Sequence, residues 1–185
     1  LISRLKPDIA FVGAVGVDVK ENSVSTYDIE DGINKAAIIR QIRLMKDMGV
    51  DAIRTSHNMP SQMQMQVCDS MGMMVMAESF DAWKEPKVKN GYNLFYDQWW
   101  RKDLENLIRG HRNHPSIVMW SIGNEIPEQW NKEGAQRAKD MTDYCHQLDN
   151  TRPVTCGGDN PKANTECGFY AALDVPGFNY RVSLY

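Results

Sequence analysis

The chain has 185 residues, 42% hydrophobic and 24% charged, with a formal net charge of −3. That composition suits one globular domain with a sizeable core, and so weak a charge gives no electrostatic reason to expect nucleic acid or an anionic membrane as a partner. No apolar run approaches the roughly 20 residues of a membrane helix. The first residues, Leu1-Ile2-Ser3-Arg4-Leu5-Lys6, carry neither an initiator Met nor a signal-peptide pattern. They read as a stretch inside a longer gene product, with its compartment left open.

Residues 9–17 predict a first strand. Residues 34–48 predict a helix, because Ile38, Ile42 and Met45 recur at helical spacing and Gly49 supplies a stop. Residues 50–54 read as a short second strand. Another helix begins at Ser61, places Met63, Val67 and Met71 on one face, and ends at Gly72. Residues 73–78 predict a third strand, followed by a long loop over 79–96. Asp97 can cap a third helix that turns Trp100, Leu104, Leu107 and Ile108 inward and ends at Gly110. Residues 117–122 predict a fourth strand. A fourth helix over 132–148 carries Ala138, Met141, Cys145 and Leu148 on its apolar face. Residues 153–156 and 174–180 predict a fifth and a sixth strand, and the stretch 157–164 between them reads as loop. Cys68, Cys145, Cys156 and Cys167 form no CxxC pair and read as core thiols. The 11 methionines, with Met73, Met74 and Met76 in one run, read as packing residues as well.

Strand–helix alternation with near-continuous apolar strands implies a parallel sheet covered by helices. A doubly wound sheet should carry a glycine-rich phosphate turn after its first strand. Val12-Gly13-Ala14-Val15-Gly16 lacks the GxGxxG pattern, and no helix starts there. A (β/α)8 barrel instead predicts polar residues at the C-terminal ends of several strands. Here the second strand ends on Arg54-Thr55-Ser56-His57-Asn58, the third on Glu78, the fourth on Asn124-Glu125 and the sixth on Asn179-Tyr180. The fold class is therefore read as α/β, an incomplete (β/α)8 TIM barrel with about six of its eight strands. An unclosed barrel exposes parallel edges, so self-association through them is expected.

A carboxyl group at a strand end, walled by aromatics, is raised in pKa by desolvation and nearby negative charge, and can then protonate a leaving oxygen. Glu125 is the candidate for that role; the alternative is a loop residue that binds a backbone amide. Arg54, at a strand's last position, needs a carboxylate partner. It serves either a ligand or an inter-strand ion pair with Glu78. His57 can hydrogen-bond a substrate hydroxyl or brace its loop. Some of Trp83, Trp99, Trp100, Trp120 and Trp130 belong to the core, whereas one or two near strand ends can stack on a sugar. His111 and His114 form an HxxH, but no third ligand is evident and Pro115 marks a turn.

The segments "DAIRTSHNMP", "VMAESFDAWK", "FYDQWWRKDLENLIRGHRNHPSIVMWSIGNEI" and "PGFNY" resemble the catalytic barrel of glycoside hydrolase family 2, the β-galactosidase and β-glucuronidase group. The resemblance covers roughly residues 32–182 of one partial barrel domain spanning 1–185, with 1–31 as first strand and loop. It implies a retaining mechanism on terminal β-linked sugars, β-galactosides first, with two carboxyl groups about 5–5.5 Å apart. Glu125 matches the general acid/base and Asn124 the residue that binds the sugar's 2-hydroxyl. Arg54, His57 and Tyr180 match residues lining the sugar subsite, with Arg54 and Tyr180 near the nucleophile. Glu78 matches a supporting acidic position. The nucleophile of the family lies at the end of strand seven, which these 185 residues do not reach. Glu166, read as lying in a loop after strand five, is in the wrong place to replace it, so the stretch alone is expected to be inactive or a sugar-binding remnant. Three departures follow. Residues 16–22 lack the histidine that often follows strand one, leaving Asp18 as a candidate substitute. Ala77 stands where an acid often precedes Glu78. Ser79-Phe80-Asp81 replaces the magnesium-ligating stretch of one branch. No metal and no cofactor are expected at the centre. The expected partners are a carbohydrate substrate and flanking β-sandwich domains.

Overall fold

The structure is a computed structural model that describes residues 14–18, 23–26, 29–181 and 183. Five parallel strands make up the main sheet, in the spatial order of the chain: β3 (Ala52–Arg54), β4 (Met74–Glu78), β5 (Ile117–Asn124), β6 (Val154–Gly158) and β7 (Val175–Phe178). Helices α1 (Ile29–Asp47), α2 (Gln62–Met71), α3 (Tyr96–His111), α4 (Lys132–Leu148) and α5 (Pro161–Glu166) precede or link them. This sequential order of strands is that of an incomplete TIM barrel.

The N-terminal strand departs from the expected arrangement. β1 (Ala14–Asp18) pairs antiparallel with β2 (Ser23–Thr26) in a separate two-stranded sheet. The parallel sheet thus has five strands among the described residues rather than six, and residues 9–13 of the expected strand lie outside them. The reason is connection length: four residues between the strands allow a hairpin, whereas a parallel return needs a dozen or more.

The helices start and stop where side chains dictate. Ser61 Oγ accepts the Gln64 N–H at 3.1 Å, and Gly72, at φ 66°, ends α2 in the left-handed conformation. Asn131 Oδ1 accepts the Gly134 N–H at 2.8 Å to open α4. A Cβ on Gly134 would fall 1.9 Å from the Glu128 carbonyl oxygen, so the helix can start against the preceding turn only with glycine there. α3 differs from expectation, because Phe95 holds the N-cap position without a side-chain bond. Asp97 lies in the first turn and pairs with Lys84 Nζ at 2.9 Å. α5 also departs from the predicted loop. Asn160 Oδ1 caps it through the Ala163 N–H, and Pro161 occupies its first turn, a legible start signal for a six-residue helix.

The core lies between the helices and one face of the sheet. Leu104, Leu107 and Ile108 of α3 are fully buried, as are Ala138, Met141 and Cys145 of α4. They meet Trp83, Trp120 and Phe169, which are also fully buried. Burial of each large side chain contributes about 1.5–3 kcal/mol, which makes this contact the main stabilising term. The thiols of Cys68, Cys145 and Cys156 are buried and free, and burial pushes that of Cys68 up to about 11. By contrast, Met74 and Val118 in the middle of the sheet are 45% and 43% exposed, so the sheet is not covered on both faces.

Candidate active site at the strand ends

Parallel pairing brings the C-terminal residues of the strands to one end of the sheet. Register sets Glu78 beside Ser121 and Asn124 beside Gly157. Glu78 is fully buried, yet every bond needed to hold a charge there is made. Arg54 Nε donates to its Oε2 at 2.7 Å, Ser121 Oγ to the same oxygen at 2.5 Å, and His57 Nδ1 lies 2.6 Å from Oε1. Its own N–H donates to Thr55 Oγ1 at 3.0 Å. A buried carboxylate is tolerated only with such partners. The expected inter-strand Arg54–Glu78 pair is therefore present, and His57 joins it.

Arg54 continues the network. Its Nη2 donates to Asn124 Oδ1 at 2.9 Å. Asn179 Nδ2 donates both to that oxygen, at 2.9 Å, and to Glu125 Oε1, at 2.8 Å. Gly157 permits this convergence. A Cβ there would lie 3.0 Å from Arg54 Nη2, 3.1 Å from Asn124 Oδ1 and 3.2 Å from Asn179 Nδ2. Tyr180 is 79% exposed, and its phenol is hydrogen-bonded to the Glu125 carboxylate. That bond, reinforced by the carboxylate's charge, holds the phenol above its ordinary pKa. All six residues singled out in the sequence, Arg54, His57, Glu78, Asn124, Glu125 and Tyr180, thus join one hydrogen-bonded constellation.

Glu125 itself sits at φ 44°, in the left-handed region that a side chain rarely adopts. Strain of this kind persists only where the surroundings over-determine it. Here both flanking groups of the Asn124–Glu125 peptide are clamped. The Glu125 N–H donates to the Gly157 carbonyl at 2.6 Å, and the Asn124 carbonyl accepts from Lys87 Nζ at 2.7 Å. Lys87 also pairs with Asp81 at 2.8 Å. Lys87, Asn179 and Ser121 are site residues that sequence reasoning did not pick out. Asn179 is legible only as a polar strand end, whereas Lys87 reaches in from a loop 37 residues before Asn124 with no local signal.

The HxxH lies elsewhere, with both ring nitrogens of His114 engaged. Nδ1 lies 2.6 Å from Asp69 Oδ2 and Nε2 3.0 Å from Gln62 Oε1. Glu166 ends α5, 66% exposed and 4.0 Å from Lys162 Nζ. Its place in a helix corrects the loop reading.

The family model described as "Glycosyl hydrolases family 2, TIM barrel domain" matches residues 27–177. The chain belongs to glycosyl hydrolase family 2. Within this family it is similar to the beta-galactosidase BoGH2A of Bacteroides ovatus, at 35% identity over 80% of this chain and 21% of that protein. It is also similar to a putative beta-glucuronidase of Formosa agariphila, at 38% identity over 66% of this chain and 11% of that one. A family 2 structure from Bacteroides cellulosilyticus superposes with a TM-score of 0.77 at 39% identity, covering 80% of this chain and 19% of that chain. A beta-glycosidase from Bacteroides vulgatus gives 0.65 at 42%, over 78% and 17%. The chain spans between about a tenth and a fifth of the length of these family 2 relatives.

Proposed function

We propose that the protein is a retaining glycoside hydrolase acting on terminal β-linked sugars, β-galactosides first. The observation that carries this reading is the shared donor Asn179 Nδ2. It ties Asn124 and Glu125 together at the end of β5, so an amide and a carboxyl group converge on one point. In the first step Glu125 donates its proton to the glycosidic oxygen, and in the second it accepts one from the attacking water. Asn124, with Oδ1 already accepting two bonds, presents its Nδ2 to the sugar's 2-hydroxyl. His57, whose Nδ1 is taken by Glu78, offers Nε2 to a hydroxyl. Arg54 and Tyr180 complete the sugar subsite. The preference for β-galactosides leans on the similarity to the Bacteroides ovatus beta-galactosidase, which extends over 80% of this chain.

The nucleophile is a second carboxylate, expected about 5–5.5 Å from Glu125. Glu78 is unsuited to that part, because both of its oxygens are committed and it is fully buried. Asp159, just after β6, holds Gln129 Nε2 at 2.8 Å. As the family resemblance implies, the nucleophile is expected at the end of the barrel's seventh strand, the one after β7. The commitment of Glu78 favours a second reading for these 185 residues by themselves, a sugar-binding barrel segment without turnover.

A panel of aryl β-glycosides tests both readings. The 185 residues are assayed beside a chain carrying two further barrel strands, with and without Glu125→Gln. Turnover is expected from the longer chain alone, and should fall by roughly 10²–10⁴-fold in the variant. A well-folded longer chain that is silent on every glycoside would sink the hydrolase reading and favour the binding one.

A further inference from the structure

The turn that follows Glu125 is pinned from several sides, yet it turns one large aromatic outward. Ile126, Glu128 and Gln129 are 0%, 1% and 1% exposed, whereas Trp130 is 56% exposed. Glu128 Oε1 accepts the N–H groups of Lys84 and Glu85 at 3.0 and 3.2 Å and lies 3.5 Å from Arg137 Nη1. Gln129 exchanges two bonds with Asp159, at 2.8 and 3.2 Å, and its carbonyl accepts from Cys167 Sγ at 3.2 Å. Trp130 thus presents a large exposed aromatic face from a fixed turn, the kind of surface on which binding energy concentrates.

Beside that face is a pocket of about 380 Å³ lined by Trp130, Asp159, Asn160, Pro161, Lys162 and Arg181. It adjoins the candidate site through the chain itself. Arg181 Nε donates to the Asp159 carbonyl at 3.4 Å, and the preceding Tyr180 is hydrogen-bonded to Glu125. A general acid must face the oxygen it protonates, so the leaving group lies on its side of the bond. The pocket's lining residues follow the C-terminal ends of β5, β6 and β7, so it opens at the same end of the sheet as Glu125. A pyranose offers an apolar C–H face to stack on an indole, and its hydroxyls suit the Lys162, Arg181, Asp159 and Asn160 donors and acceptors at the rim. We propose that this pocket is a leaving-group subsite for a sugar ring stacked on Trp130. The substrate is then a β-linked disaccharide or longer glycan, an inference that rests on the hydrolase reading.

Two substrates with the same terminal sugar separate this subsite from the rest of the site. One is a β-linked disaccharide; the other is the β-glycosyl fluoride, whose leaving group is too small to reach the indole. In the full-length protein, Trp130→Ala should lower the ratio of kcat/KM for disaccharide over fluoride roughly five- to tenfold. Trp130→Tyr should recover most of that ratio. Calorimetric titration of the disaccharide into Glu125→Gln protein, with and without Trp130→Ala, reads the same subsite without turnover and should show a similar loss of affinity. If neither substrate is hydrolysed but affinity still falls in Trp130→Ala, Trp130 binds sugar while the hydrolase reading fails and takes the leaving-group assignment with it. If Trp130→Ala moves neither the ratio nor the affinity, the subsite is overturned whether or not the protein hydrolyses glycosides.

Discussion

Lys87 clamps the backbone beside Glu125, the proposed general acid. Its ammonium binds the Asn124 carbonyl at 2.7 Å and Asp81 at 2.8 Å, next to the left-handed Glu125. Without that clamp the Asn124–Glu125 peptide is held on one side only, by Gly157. Misplacing a reacting group by about 1 Å costs on the order of 10²-fold in rate. Lys87→Met should therefore lower kcat by roughly ten- to a hundredfold, with Lys87→Arg partly restoring it. Steady-state kinetics on the best aryl glycoside would check this, and an unchanged kcat in the Met variant would remove Lys87 from the positioning network. Gly157 makes a second case at the same scale. A methyl group there crowds three converging polar atoms at 3.0–3.2 Å. Gly157→Ala is expected to weaken inhibitor binding and turnover together while costing only about 1–3 kcal/mol in stability. Parallel kinetics and urea melts would separate a disturbed site from a disturbed fold.

At the scale of elements, the link from α4 to β6 carries its own electrostatic lock. Asp149 accepts from Trp120 Nε1 of β5 at 3.0 Å, from Arg152 Nη1 at 2.7 Å, and from the Thr151 N–H at 2.9 Å. Burial alone would raise its pKa, but these bonds outweigh it and bring the carboxyl down to about 2. A carboxylate whose pKa is lower folded than unfolded stabilises the fold above its unfolded value, and that contribution disappears as pH falls through the folded value. Asp149 should thus contribute about 2 kcal/mol at neutral pH, lost between about pH 4 and pH 2. Thermal melts across that range should show Asp149→Asn less stable than the parent at pH 7 and converging with it near pH 2. A constant gap at every pH would mean that packing, rather than charge, explains the difference.

Across the whole molecule, an open sheet sets the behaviour. β3 and β7 are its edges among the described residues, and Met74, Val118 and Val175 are 45%, 43% and 39% exposed. Unpaired strand edges beside exposed apolar side chains invite pairing with another chain. The 185 residues produced alone are expected to associate, and light scattering over a dilution series should show mass rising with concentration. A monodisperse monomer at all concentrations would count against it. A longer chain that supplies the remaining strands should suppress the association and restore both barrel walls.

Local patterns were enough to place the four long helices, the five parallel strands and the polar strand ends, because periodicity, caps and glycine stops act within a few residues of chain. They also made Arg54, Glu78, Asn124, Glu125 and Tyr180 legible as strand-end groups, and the family motif raised His57 with them. The short helix α5 has its own start signal in Asn160–Pro161, although the surrounding composition reads as loop. The hairpin was legible too, in a link too short for a parallel return. What local pattern does not encode is who meets whom across the sheet. Ser121 on Glu78, Asn179 between Asn124 and Glu125, and Lys87 on the Asn124 carbonyl join residues 37 to 55 positions apart. Strand register and loop closure bring them together, and those are decided by the packing of the whole sheet.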